Sequence, residues 1–142
     1  MNTKIMLRVA MGLVLFTLIG HTVGTFMKVP AEQTEVAKTV EIMKTTLVPM
    51  PVGSPKSYSE IFLGTNLTVS LFLFVSGICF WISSSEGGLD GKGKVFLAVN
   101  SFGAAMLSLI SFLYFFPLPA ICTGIAAVLG FLVYSKKQET VR

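Results

Sequence analysis

His21 is the only histidine of the chain, and it lies in an apolar run, Val9 to Met27, that holds no other ionisable residue. An imidazole can donate, accept or shuttle a proton near neutral pH. At such a depth in apolar surroundings an ionisable group faces protein, a cavity or a partner. Gly20 and Gly24 flank it as a G-x-x-x-G pair, which lets another helix approach closely. The stretch Gly20-His21-Thr22-Val23-Gly24 therefore marks both a packing seam and a polar spot.

Depth brings further residues to the same level. At 1.5 Å per residue, His21 lies roughly 9 Å, and Asn66 roughly 8 Å, from the same ends of their apolar runs. Ser111 and Thr123 each sit five residues from that side in two later runs. Thr17 and Thr25 lie one turn either way from His21, and Ser70 one turn from Asn66. The candidate ligand-binding set is thus His21, Asn66, Thr17, Ser111 and Thr123. One reading is a layer of interhelical hydrogen bonds that holds a bundle together. The other is a small polar pocket open toward one face. Both require His21 to point inward, with Asn66 as its partner. Asn100, at the depth of Ser76 and Cys79, reads as a second, structural hydrogen-bonding point.

Other chemistries lack their residues. Cys79 and Cys122 form no C-x-x-C, and one histidine cannot complete a zinc site with them, so no metal is expected. Their depths differ by roughly 20 Å at 1.5 Å per residue, so no disulfide is expected either. The glycines of Gly87-Gly88-Leu89-Asp90-Gly91-Lys92 do not match a phosphate loop. No paired carboxylates occur within the apolar runs, so no catalytic residue and no cofactor is assigned. Asn66-Leu67-Thr68 matches a glycosylation sequon, but inside an apolar run it is a chance match.

The elements that position these residues are transmembrane helices. The 142 residues are 53% hydrophobic and 13% charged, and the mean hydropathy is +0.77. The apolar residues fall in long blocks, the pattern of a membrane protein. Four spans are expected, at about 9–27, 61–82, 95–116 and 118–134, in one domain covering 1–142. Lys4, Arg8 and the first apolar run also resemble a signal peptide, but Thr22 and Gly24 make a poor cleavage site, so an uncleaved span is expected. Span three carries Ser101, Ala104, Ser108 and Ser111 on one stripe, and span four carries Ala120/Gly124 and Ala126/Gly130. In lipid such small residues are packing faces.

Charge sets the orientation. Lys4, Arg8, Lys92, Lys94, Lys136, Lys137 and Arg142 fall on one side of a four-span topology, and Lys28, Lys38, Lys44 and Lys56 on the other. Seven against four places both termini in the cytoplasm. The net charge of +4 is then an orientation signal and not a nucleic-acid footprint.

The loop 28–60 is the one sizeable extramembrane piece. Pro30, Glu32 and Glu35 suit a helix start, and Val36, Val40, Met43 and Leu47 recur on one face. An amphipathic helix over about Pro30–Leu47 is expected on the outer face. The proline-rich stretch 48–55 cannot be helical. Tyr58 stands at interfacial depth. The loop 83–93 reads as a flexible polar linker, and Pro117 with Pro119 as a tight hairpin between the last two spans.

Gly20-His21-Thr22, the amphipathic loop helix, Gly53-Ser54-x-Lys56-Ser57-Tyr58, Gly64-x-Asn66 and Tyr114-Phe115-Phe116-Pro117 together resemble a family of small four-helix bacterial inner-membrane proteins, distantly similar to the DoxX-like proteins. Some DoxX-like proteins serve as membrane subunits of quinone-linked oxidoreductases. The resemblance implies the plasma membrane of a bacterium and carries no catalytic assignment. Lys56 and Asn66 depart from that pattern.

The fold class expected is an all-α integral membrane four-helix bundle with an outer-face amphipathic helix. The function expected first is a non-catalytic accessory subunit or assembly module of an inner-membrane complex. Its partners would be membrane lipid and either another membrane protein or further copies of the chain. The alternative is a binder or enzyme for a lipophilic molecule, quinone- or lipid-like, using His21 and Asn66. A transporter ranks last, because spans two to four carry no charge and no broken helix.

Overall fold

A computed structural model describes residues 2–27, 34–85, 89 and 91–136 of the chain. It is all-α apart from one short strand pair: α1 Thr3–Phe26, α2 Thr34–Thr45, β1 Leu47–Val48, β2 Lys56–Ser57, α3 Tyr58–Ser85, α4 Gly91–Tyr114 and α5 Pro117–Ser135. Among the described residues four helices, α1, α3, α4 and α5, are long and apolar enough to cross a membrane. At 1.5 Å per residue the shortest spans about 28 Å and the longest about 42 Å, enough for a hydrocarbon core of roughly 30 Å. The chain is a small multi-pass integral membrane protein.

Two compact units make up the chain, Met1–Ile19 with Phe72–Arg142, and Gly20–Leu71. In the first, Leu7, Ala10 and Val14 of α1, Leu73 and Phe80 of α3, Leu97 and Ala104 of α4, and Ala126 and Ala127 of α5 are buried. Phe102, Leu109, Ile121 and Val128 stay exposed on the outside of the same helices. A soluble domain rarely leaves so much contiguous apolar surface open, but lipid-facing helices do.

The register of α4 against α5 follows from small residues. Ser108 Oγ donates to the Ala120 carbonyl at 2.7 Å. A Cβ at Gly124 would stand 2.9 Å from the Ser108 hydroxyl, and one at Gly130 would run into Ser101 Oγ. Lys94 Nζ donates to the Lys136 carbonyl at 2.8 Å. The pairs 94/136, 101/130 and 108/120 run in opposite order along the two chains, so the hairpin is antiparallel, with the expected small stripes as its seam. Pro117 opens α5 at a position where a missing N–H costs nothing.

Of the expected linker 83–93, Ser83–Ser85 belong to α3, and Gly91, Lys92 and Gly93 open α4 with Lys94 in the same first turn. Cations are disfavoured at a helix N-terminus but favoured at a C-terminus. Lys94 reaches the end of α5, which offsets its own poor placement. Residues 86–88 and 90 of the expected linker lie outside the described residues.

Within α1, α3 and α4 the same unit shows close approaches at two more glycines. A Cβ at Gly77 would stand 2.9 Å from the Leu15 side chain, and one at Gly103 would stand 3.0 Å from the Phe72 ring. Asn100 Nδ2 donates to the Ser76 carbonyl at 3.3 Å. Cys79 and Cys122 are free thiols.

In the second unit α2 is shorter than expected. Its proposed start at Pro30 and Glu32 lies outside the described residues. Its end falls at Thr45, because Leu47 and Val48 pair instead with Ser57 and Lys56 in a two-residue antiparallel ladder. Gly53, at φ +92°, makes the left-handed turn that closes the non-helical segment. The Tyr58 N–H donates to the Thr46 carbonyl at 3.3 Å, tying the end of α2 to the start of α3.

Ser57-Tyr58-Ser59-Glu60 is a capping box for α3. The Glu60 N–H donates to Ser57 Oγ at 3.2 Å, and the Ser57 N–H donates back to Glu60 Oε2 at 2.8 Å. The Ser57 backbone and side-chain hydrogen bonds hold the Glu60 carboxyl, just ahead of the apolar run, below its ordinary range.

Candidate functional site

His21 and Asn66 belong to the same unit, and they meet. His21 lies in the last two turns of α1, and Asn66 in the first half of α3. His21 Nε2 donates to the Asn66 backbone carbonyl at 3.1 Å. The partner residue is the expected one, and the atom that accepts is its backbone carbonyl and not its side-chain amide. A helix carbonyl already accepts one bond along its helix and keeps a second lone pair, which His21 takes.

This bond fixes the chemistry of the ring. A carbonyl only accepts, so Nε2 carries a proton. In the neutral imidazole, Nδ1 is then the lone-pair acceptor. One residue along α1 and one turn along α3, Thr22 Oγ1 and Ser70 Oγ share a hydrogen bond at 3.3 Å, which either hydroxyl can donate. Thr25 Oγ1 donates to the His21 carbonyl at 2.9 Å. Thr22 was missed as a site residue; Ser70, one turn from Asn66, was the available signal.

Asn66 itself is 8% exposed. Among the described residues its side-chain amide makes no hydrogen bond, although it has two donors and an acceptor to satisfy. Among the described residues the one sealed-off side-chain polar atom without a partner is Ser76 Oγ, so the Asn66 amide, on a residue that is otherwise buried, is unpaired without being sealed off. Leu67 and Thr68 of the sequon that includes Asn66 are exposed on α3.

The remaining candidates lie in the other unit and turn to their own helices. Thr17 Oγ1 donates to the Leu13 carbonyl at 2.9 Å. Thr123 Oγ1 donates to the Pro119 carbonyl at 2.7 Å. Ser111 is buried on α4. A threonine that bonds the preceding turn has spent its donor there. Of the five residues, the structure joins only His21 and Asn66 by a bond between helices.

The G-x-x-x-G face beside His21 departs from the sequence reading. Among the described residues no heavy atom lies within 4 Å of a Cβ placed at Gly20 or at Gly24. Ile19 and Val23 next to them are exposed. Among the described residues this face is open. Packing inside the chain falls instead on Gly77, Gly103, Gly124 and Gly130.

Also among the described residues, no group of three or more His, Cys, Asp and Glu side chains is placed to hold a metal ion. Comparisons with known protein families, with curated proteins and with solved structures give no match.

Proposed function

We propose that the chain is a non-catalytic accessory module of a larger membrane complex, joined to its partner through the Gly20–Gly24 face of α1. The open glycine pair carries this reading. Every other glycine pair of the G-x-x-x-G kind needs a facing helix to be of use, because small residues contribute only by letting a backbone come close. Here the face is presented and unfilled among the described residues. The partner is another membrane protein or a second copy of the chain.

The setting proposed is a bacterial inner membrane with both termini cytoplasmic. The Lys and Arg bias supports the orientation, and the resemblance to small DoxX-like membrane proteins supports the compartment. Lys94 and Lys136, both assigned to the cytoplasmic side, lie together at one end of the α4–α5 hairpin.

Solubilisation in a mild detergent tests the module reading. The wild-type chain is expected to travel with a partner or as an oligomer, and the double variant Gly20→Leu, Gly24→Leu as a monomer with unchanged helicity. A wild-type chain recovered alone and monomeric overturns the reading. Reporter fusions at Arg142 and at Val52 are expected in opposite compartments; equal signals overturn the topology.

A further inference from the structure

We propose that His21 and Asn66 form a binding site for an uncharged lipophilic molecule whose head carries a hydroxyl beside a second oxygen. Four observations converge on it. The Asn66 side chain is nine-tenths buried and makes no hydrogen bond among the described residues. The bond from His21 Nε2 to the Asn66 carbonyl orients the ring and leaves its other nitrogen, Nδ1, without a hydrogen bond among the described residues. The ring is half-buried, open enough for a ligand to reach. No charged residue lies between positions 9 and 27 or between 61 and 82, so nothing in either helix neutralises a charged head.

The donor and acceptor inventory sets the ligand class. Nδ1 requires a donor, which a hydroxyl supplies. The Asn66 NH₂ requires an acceptor, which the same hydroxyl oxygen or an adjacent carbonyl supplies. The amide oxygen takes a further hydroxyl. An ester or ketone without a hydroxyl satisfies Asn66 and leaves Nδ1 unpaired. A site built around unpaired polar groups rejects an analogue that lacks the matching group far more strongly than an apolar pocket does. The Thr22–Ser70 hydroxyl pair extends the polar surface on the same two helices. The apolar side chains around it suit the tail, with Leu67 and Leu63 exposed along α3.

Because the chain has one histidine, its ring nitrogens give one pair of nitrogen resonances. The test uses the full chain, labelled with nitrogen-15 histidine, in nanodiscs of phosphatidylcholine. Monooleoylglycerol, with two hydroxyls and an ester carbonyl, is the probe. Methyl oleate, with the carbonyl and no hydroxyl, is the control. Expected is a saturable shift of the Nδ1 resonance with monooleoylglycerol and none with methyl oleate. Asn66→Leu should weaken the apparent affinity about tenfold, the size of one good intramembrane hydrogen bond. The Nε2 resonance reports folding of that variant, since Nε2 bonds the backbone carbonyl, which the substitution keeps. Should Nε2 move in the variant, the wild-type comparison of the two lipids decides alone. An Nδ1 resonance indifferent to monooleoylglycerol overturns the proposal, as does an equal shift with methyl oleate. A shift that follows protein-to-lipid ratio and not monooleoylglycerol also overturns it, because a second copy then fills the amide.

Discussion

The α4–α5 hairpin and the Gly20–Leu71 unit use the same small vocabulary to opposite ends. In the hairpin, Gly124 and Gly130 are filled by Ser108, Ser101 and Phe80, so that no Cβ fits at Gly130. The serines bond carbonyls of their own or the facing helix. In the other unit, Gly20 and Gly24 meet nothing among the described residues, and Asn66 is buried without a partner for its amide. The lesson is that a small residue in a membrane helix is a permit for close approach and not evidence that the approach is made. A filled seam stabilises the chain. An open one, next to an unpaired amide, is where a partner or a ligand gains most.

That contrast predicts a ranking of substitution effects on unfolding of the isolated chain. Gly130→Val is expected to cost most, about 2–3 kcal/mol, because Ser101 must give up its place against Leu97 and Phe80 must move. Reversible unfolding in mixed micelles measures it; a neutral result would mean that the seam is not packed as described. Ser57→Ala removes the cap of α3 and is expected to cost about 1 kcal/mol. The carboxyl of Glu60 lies below its ordinary range when folded, so its share of the cap is present at neutral pH and lost on acidification. The protection factors of amides in the first turn of α3, measured against the intrinsic exchange rate at each pH, should fall as the pH falls, and protection independent of pH would contradict the capping geometry.

Two bonds from side chains to α3 carbonyls sharpen the comparison further. Asn100→Leu and His21→Leu each remove one, and each is expected to cost about 0.6 kcal/mol, the usual size for such bonds in membranes. A much larger loss at His21 would make its bond the main tie of that unit and the ring less free for a ligand. The smallest effect is expected at the open face. Gly20→Leu should stay within about 0.5 kcal/mol of wild type in the isolated chain, as exposed substitutions do. The same change is expected to disrupt association in the membrane, and it is the gap between these two measurements that separates an open face from a filled one.

The sequence by itself determined the four spans, the tight turn between the last two, the non-helical proline segment and the matched depth of His21 and Asn66; the structure moved that turn from Pro117 to residues 115–116. These are additive along the chain: hydropathy over about 20 residues, the rigidity of proline, and a fixed rise per residue. The capping box at Ser57 and Glu60 is likewise written in its S-x-x-E spacing. Only the tertiary structure decided which glycines are filled, because Gly20/Gly24, Ala120/Gly124 and Ala126/Gly130 are the same kind of small-residue pair until a facing helix is placed. It also decided that His21 takes the carbonyl and not the amide of Asn66, and that Thr17 and Thr123 turn to their own helices. The strand pair that shortens α2 belongs with these. Each depends on rotamer and on register between segments distant in sequence, where one residue's rotation of 100° decides whether a polar atom meets a neighbour, its own backbone or nothing.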